Sequence, residues 1–200
     1  MPHEKTTPQI SAGVETGPTE TPRSWPAPAI ASKNLRMSYR IARGERGVLT
    51  FEPYKSILLP HWRFKTILIA TRSSQTLFSA FEYYVEAGDL VGADMARKFI
   101  QMGMTRATRY ANHKGGRKYD RTTRETERGG DSGERRELPK SVDHEGRTEK
   151  LGAREVFMEV WRRCLNNEKY LKLKNDFVVE QKEWDKAQKE AKKWREECAF

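Results

Sequence analysis

At 200 residues the chain has room for one ordinary domain with tails. Apolar residues make up 36% and charged ones 33%, against globular averages of about 45–50% and about 25%, so part of the chain is not expected to pack. The two cysteines, Cys164 and Cys198, have no CxxC neighbour, which excludes a disulfide-dense secreted scaffold and favours a reducing compartment.

The net charge of +10 is unevenly spread. Residues 1–32 sum to −1, residues 33–120 to +9 (sixteen basic against seven acidic side chains) and residues 121–200 to +2. The excess therefore sits on the part richest in aromatic and aliphatic residues, a folded body rather than a tail. Residues 1–30 lack the apolar run of a leader, so none is expected, and the longest apolar run, 57–70, is broken by Pro60, His61, Arg63 and Lys65. The expected location is cytoplasmic, with the nucleus as the alternative, and neither secretion nor membrane insertion is expected.

Residues 1–32 hold six of the nine prolines and almost no apolar periodicity, the composition of a disordered tail in which Trp25 is expected to be exposed. In "YRIARGERGVLTFEPY", glycines at 44 and 47 precede the β-prone run Val48–Phe51. This predicts one small β element near residues 38–52, with Ser38–Ala42 as the partner. Pro60 keeps any helix around it short.

From Ser73 the period changes. Leu77, Phe78, Phe81, Tyr84 and Val85 form one stripe, predicting a helix over 73–87 that Ser73 or Ser74 caps and Gly88 stops. Asp89 then caps a second helix running to Gly115-Gly116, so the two form a hairpin. On that helix Met95, Phe99, Met102, Gly103 and Tyr110 are expected to face the core, and Lys98, Arg106, Arg109 and His113 to share a basic sector into which Met102 intrudes.

Residues 121–149 are polar, charge-mixed and glycine-rich, which predicts a long mobile loop. Helical pattern returns near Lys150 with Val156, Phe157, Val160, Trp161 and Leu165, pauses at Asn166-Asn167, and resumes from Glu168. Phe177, Trp184, Ala191 and Cys198 recur every seven residues, too few heptads for a coiled coil. The expectation is mainly α, α+β at most: a tail over 1–32, a single helical domain over 33–175 containing the loop, and a charged C-terminal helix over 176–200.

Catalytic motifs are sparse. The four histidines and two cysteines lack metal-ligand spacing, no GxSxG elbow occurs, and "HKGGRK" follows a helix where a P-loop would follow a strand. No cofactor or metal is expected. His61 and His113 are the candidate general acid–base groups of the body, with Glu45 or Glu52 as partners, and define an enzymatic alternative acting on a phosphorylated substrate.

Basic residues carry the stronger signal. Two windows, 95–119 and 53–81, contain no acid. "HWRFK" interleaves aromatic and basic side chains, and "RATRYANHKGGRKY" supplies five lysines and arginines, His113 and two tyrosines, a composition suited to phosphates and unstacked bases. The candidate anion-binding set is Trp62, Arg63, Lys65, Arg106, Arg109, His113, Lys114, Arg117, Lys118 and Tyr119, expected to converge on one electropositive surface. The plain alternative is a helix C-terminus, where cations are favoured by about 0.3–1 kcal/mol whatever the function and Gly115 is an ordinary stop. A third reading is a protein-interaction module using residues 150–200.

The run from Tyr39 to Asp120 also carries several long words: "RGERGVLTFEPYKS", "LPHWRFKT", "GDLVGADMARKFIQMG" and "TRATRYANHKGGRKYD", followed by "ELP" at 137–139 and "EKYLKLK" at 168–174. Together these resemble a domain-of-unknown-function family of small proteins labelled only "cytoplasmic protein", over roughly residues 36–175. Family members tend to carry Gly where Ala42 stands and Pro where Ile67 stands. The resemblance implies a stand-alone intracellular protein and brings no activity, cofactor or catalytic residue with it. The leading expectation is non-enzymatic binding of a phosphate-bearing ligand, nucleic acid, through the basic and aromatic surface.

Overall fold

The computed structural model describes residues 24–122, 135–141 and 143–197. Among them are seven α-helices: α1 Pro28–Ala31, α2 Lys33–Ser38, α3 Tyr54–Leu58, α4 Ile67–Glu86, α5 Leu90–Asn112, α6 Arg147–Leu165 and α7 Glu168–Glu197. The mainly helical expectation holds. No described helix is long and apolar enough to cross a membrane.

α4, α5 and α6 pack on one another and form the core. α4 begins earlier than the periodicity predicts, because the Thr66 side chain caps it by accepting from the Ile69 amide at 3.3 Å. Ser73 and Ser74 are therefore interior; the Ser73 hydroxyl donates to the His61 carbonyl at 2.7 Å and accepts from the Arg63 amide at 2.9 Å. Ile67 occupies the first helical position, where a proline also fits. Its N–H, which proline lacks, donates to Glu149 Oε2 at 2.7 Å and ties α4 to α6. Gly88 takes φ +74° to turn the chain, and the Asp89 carboxylate accepts from the Gly92 amide at 3.0 Å to start α5. α5 meets α6 closely: a Cβ on Gly103 would lie 2.6 Å from the Phe157 ring.

Two expectations are corrected. Residues 38–52 form no strand. Gly44 (φ +68°) and Gly47 (φ +81°) bend the chain into successive turns, closed by Val48 N–H to Glu45 carbonyl at 3.3 Å and Thr50 N–H to Gly47 carbonyl at 3.1 Å. Of the supposed partner strand only Ser38 is helical, as the last residue of α2, and residues 39–42 form no ladder. Residues 24–32, assigned to the tail, pack on the body: Trp25 is only 4% exposed and edge-on to His61, with ring centroids 5.0 Å apart. The remainder of the tail, residues 1–23, and residues 123–134 and 142 of the expected loop lie outside the described residues. α7 runs without a break through residue 175, the expected boundary. Phe177 is buried, and Gln181 Nε2 donates to the Tyr39 carbonyl at 2.6 Å. From Lys186 onward α7 is exposed throughout its described length.

What holds these pieces together is a buried polar hub on α5. The Asp94 carboxylate is 1% exposed and accepts from the Tyr39 hydroxyl, from the Tyr170 hydroxyl at 2.7 Å and from Arg97 Nε at 2.8 Å. Lys98 Nζ, wholly buried, lies 3.4 Å from Asp94 Oδ2 and donates to Tyr39 Oη at 2.8 Å and the Arg46 carbonyl at 3.1 Å. Lys98 is thus internal, not part of a basic face. Burial alone would raise the Asp94 carboxyl, but Arg97, Lys98 and the tyrosine hydroxyls outweigh it and hold it below the ordinary carboxylate range. A second buried acid, Asp89, accepts from Tyr54; burial dominates there and pushes its carboxyl up.

The two acids should respond unequally to neutralisation. Asp94→Asn strands two buried cations and should cost about 3–5 kcal/mol at pH 7. Asp89→Asn keeps a capping oxygen, loses a charge that burial disfavours, and should cost less than about 1.5 kcal/mol. The Asp94 contribution is present above the unfolded-state pKa and is lost as pH falls through the lower folded-state value, so the gap between wild type and Asp94→Asn should narrow in acid. Urea unfolding of both variants from pH 7 to pH 3 checks the order and the sign.

Candidate functional site

α5 ends as "YANHKGG" dictates. His113 leaves helical geometry (φ −139°, ψ 121°), and Gly115 and Gly116 adopt φ +65° and +70° to reverse the chain. Gly116 is needed for space as well as for its dihedral, because a Cβ there would lie 2.5 Å from the Tyr110 ring. The turn is pinned by Gly116 N–H to the His113 carbonyl at 2.7 Å and Arg109 Nε to the Gly116 carbonyl at 2.6 Å.

The chain then returns beside the helix end. Leu138 N–H donates to the Lys118 carbonyl at 2.9 Å and Asp120 N–H to the Arg136 carbonyl at 3.1 Å, around an isolated antiparallel bridge between Tyr119 and Glu137. Ser141 N–H donates to the Asn112 carbonyl at 2.9 Å, and His144 Nε2 lies 2.9 Å from the Tyr110 carbonyl. The returning segment therefore covers the exposed carbonyls at the negative end of α5, which would otherwise oppose an anion.

Between α5, this segment and the turns at 44–50 lies a cleft of about 540 Å³. Arg106, Arg109 and His113 line it from α5, with Thr105, Thr108 and Asn112 between them. Lys118, Glu137 and Lys140 form the opposite wall, and Glu45 closes one end. Both acids are occupied: Glu45 Oε2 accepts from the Thr105 hydroxyl at 2.6 Å, and Glu137 lies 3.5 Å from Lys118 Nζ. Arg106 and Lys140 have no ion-pair partner among the described residues, so the cleft keeps a positive excess. His113 is 5% exposed, and its Nδ1 is sealed from solvent with no hydrogen-bond partner among the described residues.

A second groove, of about 650 Å³, lies on the other flank of Tyr110. Trp62, Phe64 and Tyr110 supply its rings, and Arg63, Lys65 and Lys150 its charge. The Trp62 and Phe64 centroids are 4.9 Å apart, and those of Phe64 and Tyr110 5.5 Å apart. The two acid-free windows thus meet in space, through Phe64 and Tyr110, but as two neighbouring sites and not one cradle. Trp62, Arg63 and Lys65 belong to the aromatic groove, and Arg106, Arg109, His113 and Lys118 to the basic cleft. Lys114 and Arg117 are exposed and line neither; the Arg117 guanidinium folds back on the Asp120 carbonyl at 2.6 Å. Tyr119 carries Lys118 and Arg135 over its ring, at 5.2 and 4.7 Å from the centroid.

Other candidate groups are placed elsewhere. His61 lies against Trp25, outside both linings, where burial first and Arg63 second push its imidazole down. Cys164 is buried, and burial pushes its thiol up to about 12, far from a nucleophile's range. Cys198 lies outside the described residues. No cluster among the described residues has the donors to hold a metal ion. Sequence reasoning missed Lys140, Glu137 and Lys150, whose surroundings are charge-mixed and gave no local contrast, and it misplaced Tyr110, which is 37% exposed.

A helical body with a basic cleft at one helix end is the class these features define. A family model described as a domain of unknown function, DUF4385, matches residues 23–180, and the chain belongs to that family. The match begins two residues before buried Trp25 and so includes the docked segment 24–32. No curated protein and no solved structure matches the chain.

The glycine pair makes the turn testable. Gly115→Ala meets open space and only a left-handed dihedral, so it should cost about 1–2 kcal/mol. Gly116→Ala adds the collision with Tyr110 and should cost about 1–3 kcal/mol more. Denaturant midpoints of the two variants measure the difference.

Proposed function

We propose that this protein is a non-enzymatic binder of a phosphate-bearing ligand, nucleic acid, and that the cleft at the C-terminal end of α5 takes its phosphates. The observation that carries the reading is the convergence of Arg106, Arg109, Lys118 and Lys140 on one concavity, three of them (Arg106, Arg109 and Lys140) without a carboxylate partner among the described residues. Phosphate oxygens would supply the acceptors that Arg106 and Lys140 lack, and arginine matches phosphate in a two-pronged geometry. The Asn112 amide adds a neutral donor beside them. A merely solvated face would mix its signs more evenly.

A second reading, acid–base chemistry on a phosphorylated substrate, draws on His113. A buried imidazole at the cleft wall, with Nδ1 unpartnered among the described residues, is the candidate acid–base group of this reading. Loss of phosphoester turnover in His113→Asn would distinguish it from binding alone.

Fluorescence anisotropy with a labelled oligonucleotide tests the leading reading. Affinity should fall steeply with salt, with a log–log slope of about −0.7 per contacted phosphate for a single strand. Arg106→Ala and Lys140→Ala should each flatten that slope by about one contact's worth. Glu137→Gln, which frees Lys118, should raise affinity. Absence of binding, or affinity indifferent to salt, would overturn the assignment.

A further inference from the structure

We infer that the groove formed by Trp62, Phe64 and Tyr110 stacks the bases of a single strand, so that the ligand of the neighbouring basic cleft is single-stranded. This rests on the phosphate reading above and specifies its ligand. Three observations carry it. The groove's walls hold three cations, Arg63, Lys65 and Lys150, and no acid, so its electrostatic complement is an anion. Its floor is aromatic and its volume, about 650 Å³, falls within the range of about 300–1,000 Å³ typical of ligand sites. Its rings are tilted against one another, by 49° between Trp62 and Phe64 and by 68° between Phe64 and Tyr110, so neither pair is stacked face to face.

Lys150 shows that the groove is built rather than incidental. Its ammonium sits 5.0 Å from the Phe64 centroid and 5.7 Å from that of Tyr110, and donates to the Phe64 and Lys65 carbonyls at 2.9 and 2.7 Å. Two of its three protons are thereby committed, and the side chain is held at the rings. A ligand with both a flat face and a negative charge uses the rings and the cations together; a nucleotide has both. Stacking is indifferent to base identity because every base has a π-face.

Continuity with the basic cleft fixes the occupant. Arg109 and Tyr110 are consecutive on α5, yet Arg109 lines the cleft and Tyr110 the groove. A strand crossing the last turns of α5 spans only about the 10–12 Å width of a helix to engage both. Duplex bases are stacked on each other and offer no free face, so a duplex could use the cleft alone.

The test compares three probes on the wild-type protein: an oligo(dT) of about twelve nucleotides, the same backbone with abasic sites, and a duplex of equal length. At matched ionic strength oligo(dT) should bind at least about tenfold more tightly than the other two, since each stacked base contributes about 1–3 kcal/mol. Phe64→Leu and Tyr110→Leu, with unfolding midpoints confirming that they fold, should reduce oligo(dT) affinity to the abasic level and leave abasic affinity unchanged. Equal binding of oligo(dT) and abasic strand would overturn the stacking site while leaving the phosphate site standing. Failure of every nucleic-acid probe would overturn both. Capture of an acidic peptide, with oligo(dT) unable to displace it, would reassign the groove to a protein partner and overturn this inference.

Discussion

The buried Asp94 carboxylate is the constraint on which the rest of the structure depends. Taking an ion out of water costs several kcal/mol, and an unpaired one would not be tolerated. Here the carboxylate receives Arg97 and Lys98 from its own helix, Tyr39 from the segment after α2, and Tyr170 from α7. None of these elements could shift by a turn without leaving a buried charge unpaired. Apolar packing of α4, α5 and α6 would hold a three-helix core in many near-equivalent registers; the hub selects one. It also explains why the 24–40 segment and α7, far apart in sequence, lie together, an arrangement that Gln181 reinforces from α7 through the Met37 and Tyr39 carbonyls at 3.3 and 2.6 Å.

That selection sets the site. α5 runs from the buried Asp89 cap, through the hub, to the Gly115-Gly116 reversal, so the position of its last turn is determined at its first three. The hub also revises the charge reckoning. The acid-free window 95–119 contains Arg97 and Lys98, which are internal and offset by Asp94 immediately before it. The positive character left for the surface belongs to Arg106, Arg109, Lys114, Arg117 and Lys118. Of these the fold directs three into the cleft and leaves two outside it.

The helices were legible because their apolar stripes have the right period, and α4 and α5 were bounded by residues with cap chemistry, Asp89 and the glycines after Asn112. What was not legible depends on distance. Lys98 reads as surface charge until Tyr39 and the Arg46 carbonyl, more than fifty residues earlier, are placed against it. Tyr110 reads as core by spacing, but Gly116 brings the turn under its ring and leaves one side open. The Val48–Phe51 run has strand composition, yet the turns at Gly44 and Gly47 coil it on itself before it can pair with residues 39–42. Trp25 lies in a proline-rich stretch whose composition predicts disorder; it packs because the α3–α4 connection offers His61 as a ring partner. The residue set of the site was largely readable, whereas its division into two was not, since that depends on which face of α5 Lys140 and Lys150 approach.

The distribution of buried titratable groups decides between structural and ligand-directed roles. Asp89 and Asp94 are each satisfied by tyrosine hydroxyls, Arg97 and Lys98 by Asp94, and Cys164 is held as a neutral thiol. These groups already have their partners and hold nothing in reserve for a ligand. His113 differs, since its Nδ1 is sealed and unmatched among the described residues. A buried polar atom left without a partner costs about 1–3 kcal/mol, and the Gly115-Gly116 reversal holds it in that state at the wall of a cation-lined cleft. Such a penalty is removed when something with a complementary atom enters. Trp25, Arg36, Trp62, Arg147 and Trp161 also carry a sealed nitrogen without a partner among the described residues, but at the end of α5 the unmatched atom stands among arginines and lysines that face too few acceptors. That imbalance is the physical ground of the proposed anion site, and it belongs to the cleft as a whole and not to any single motif in the chain.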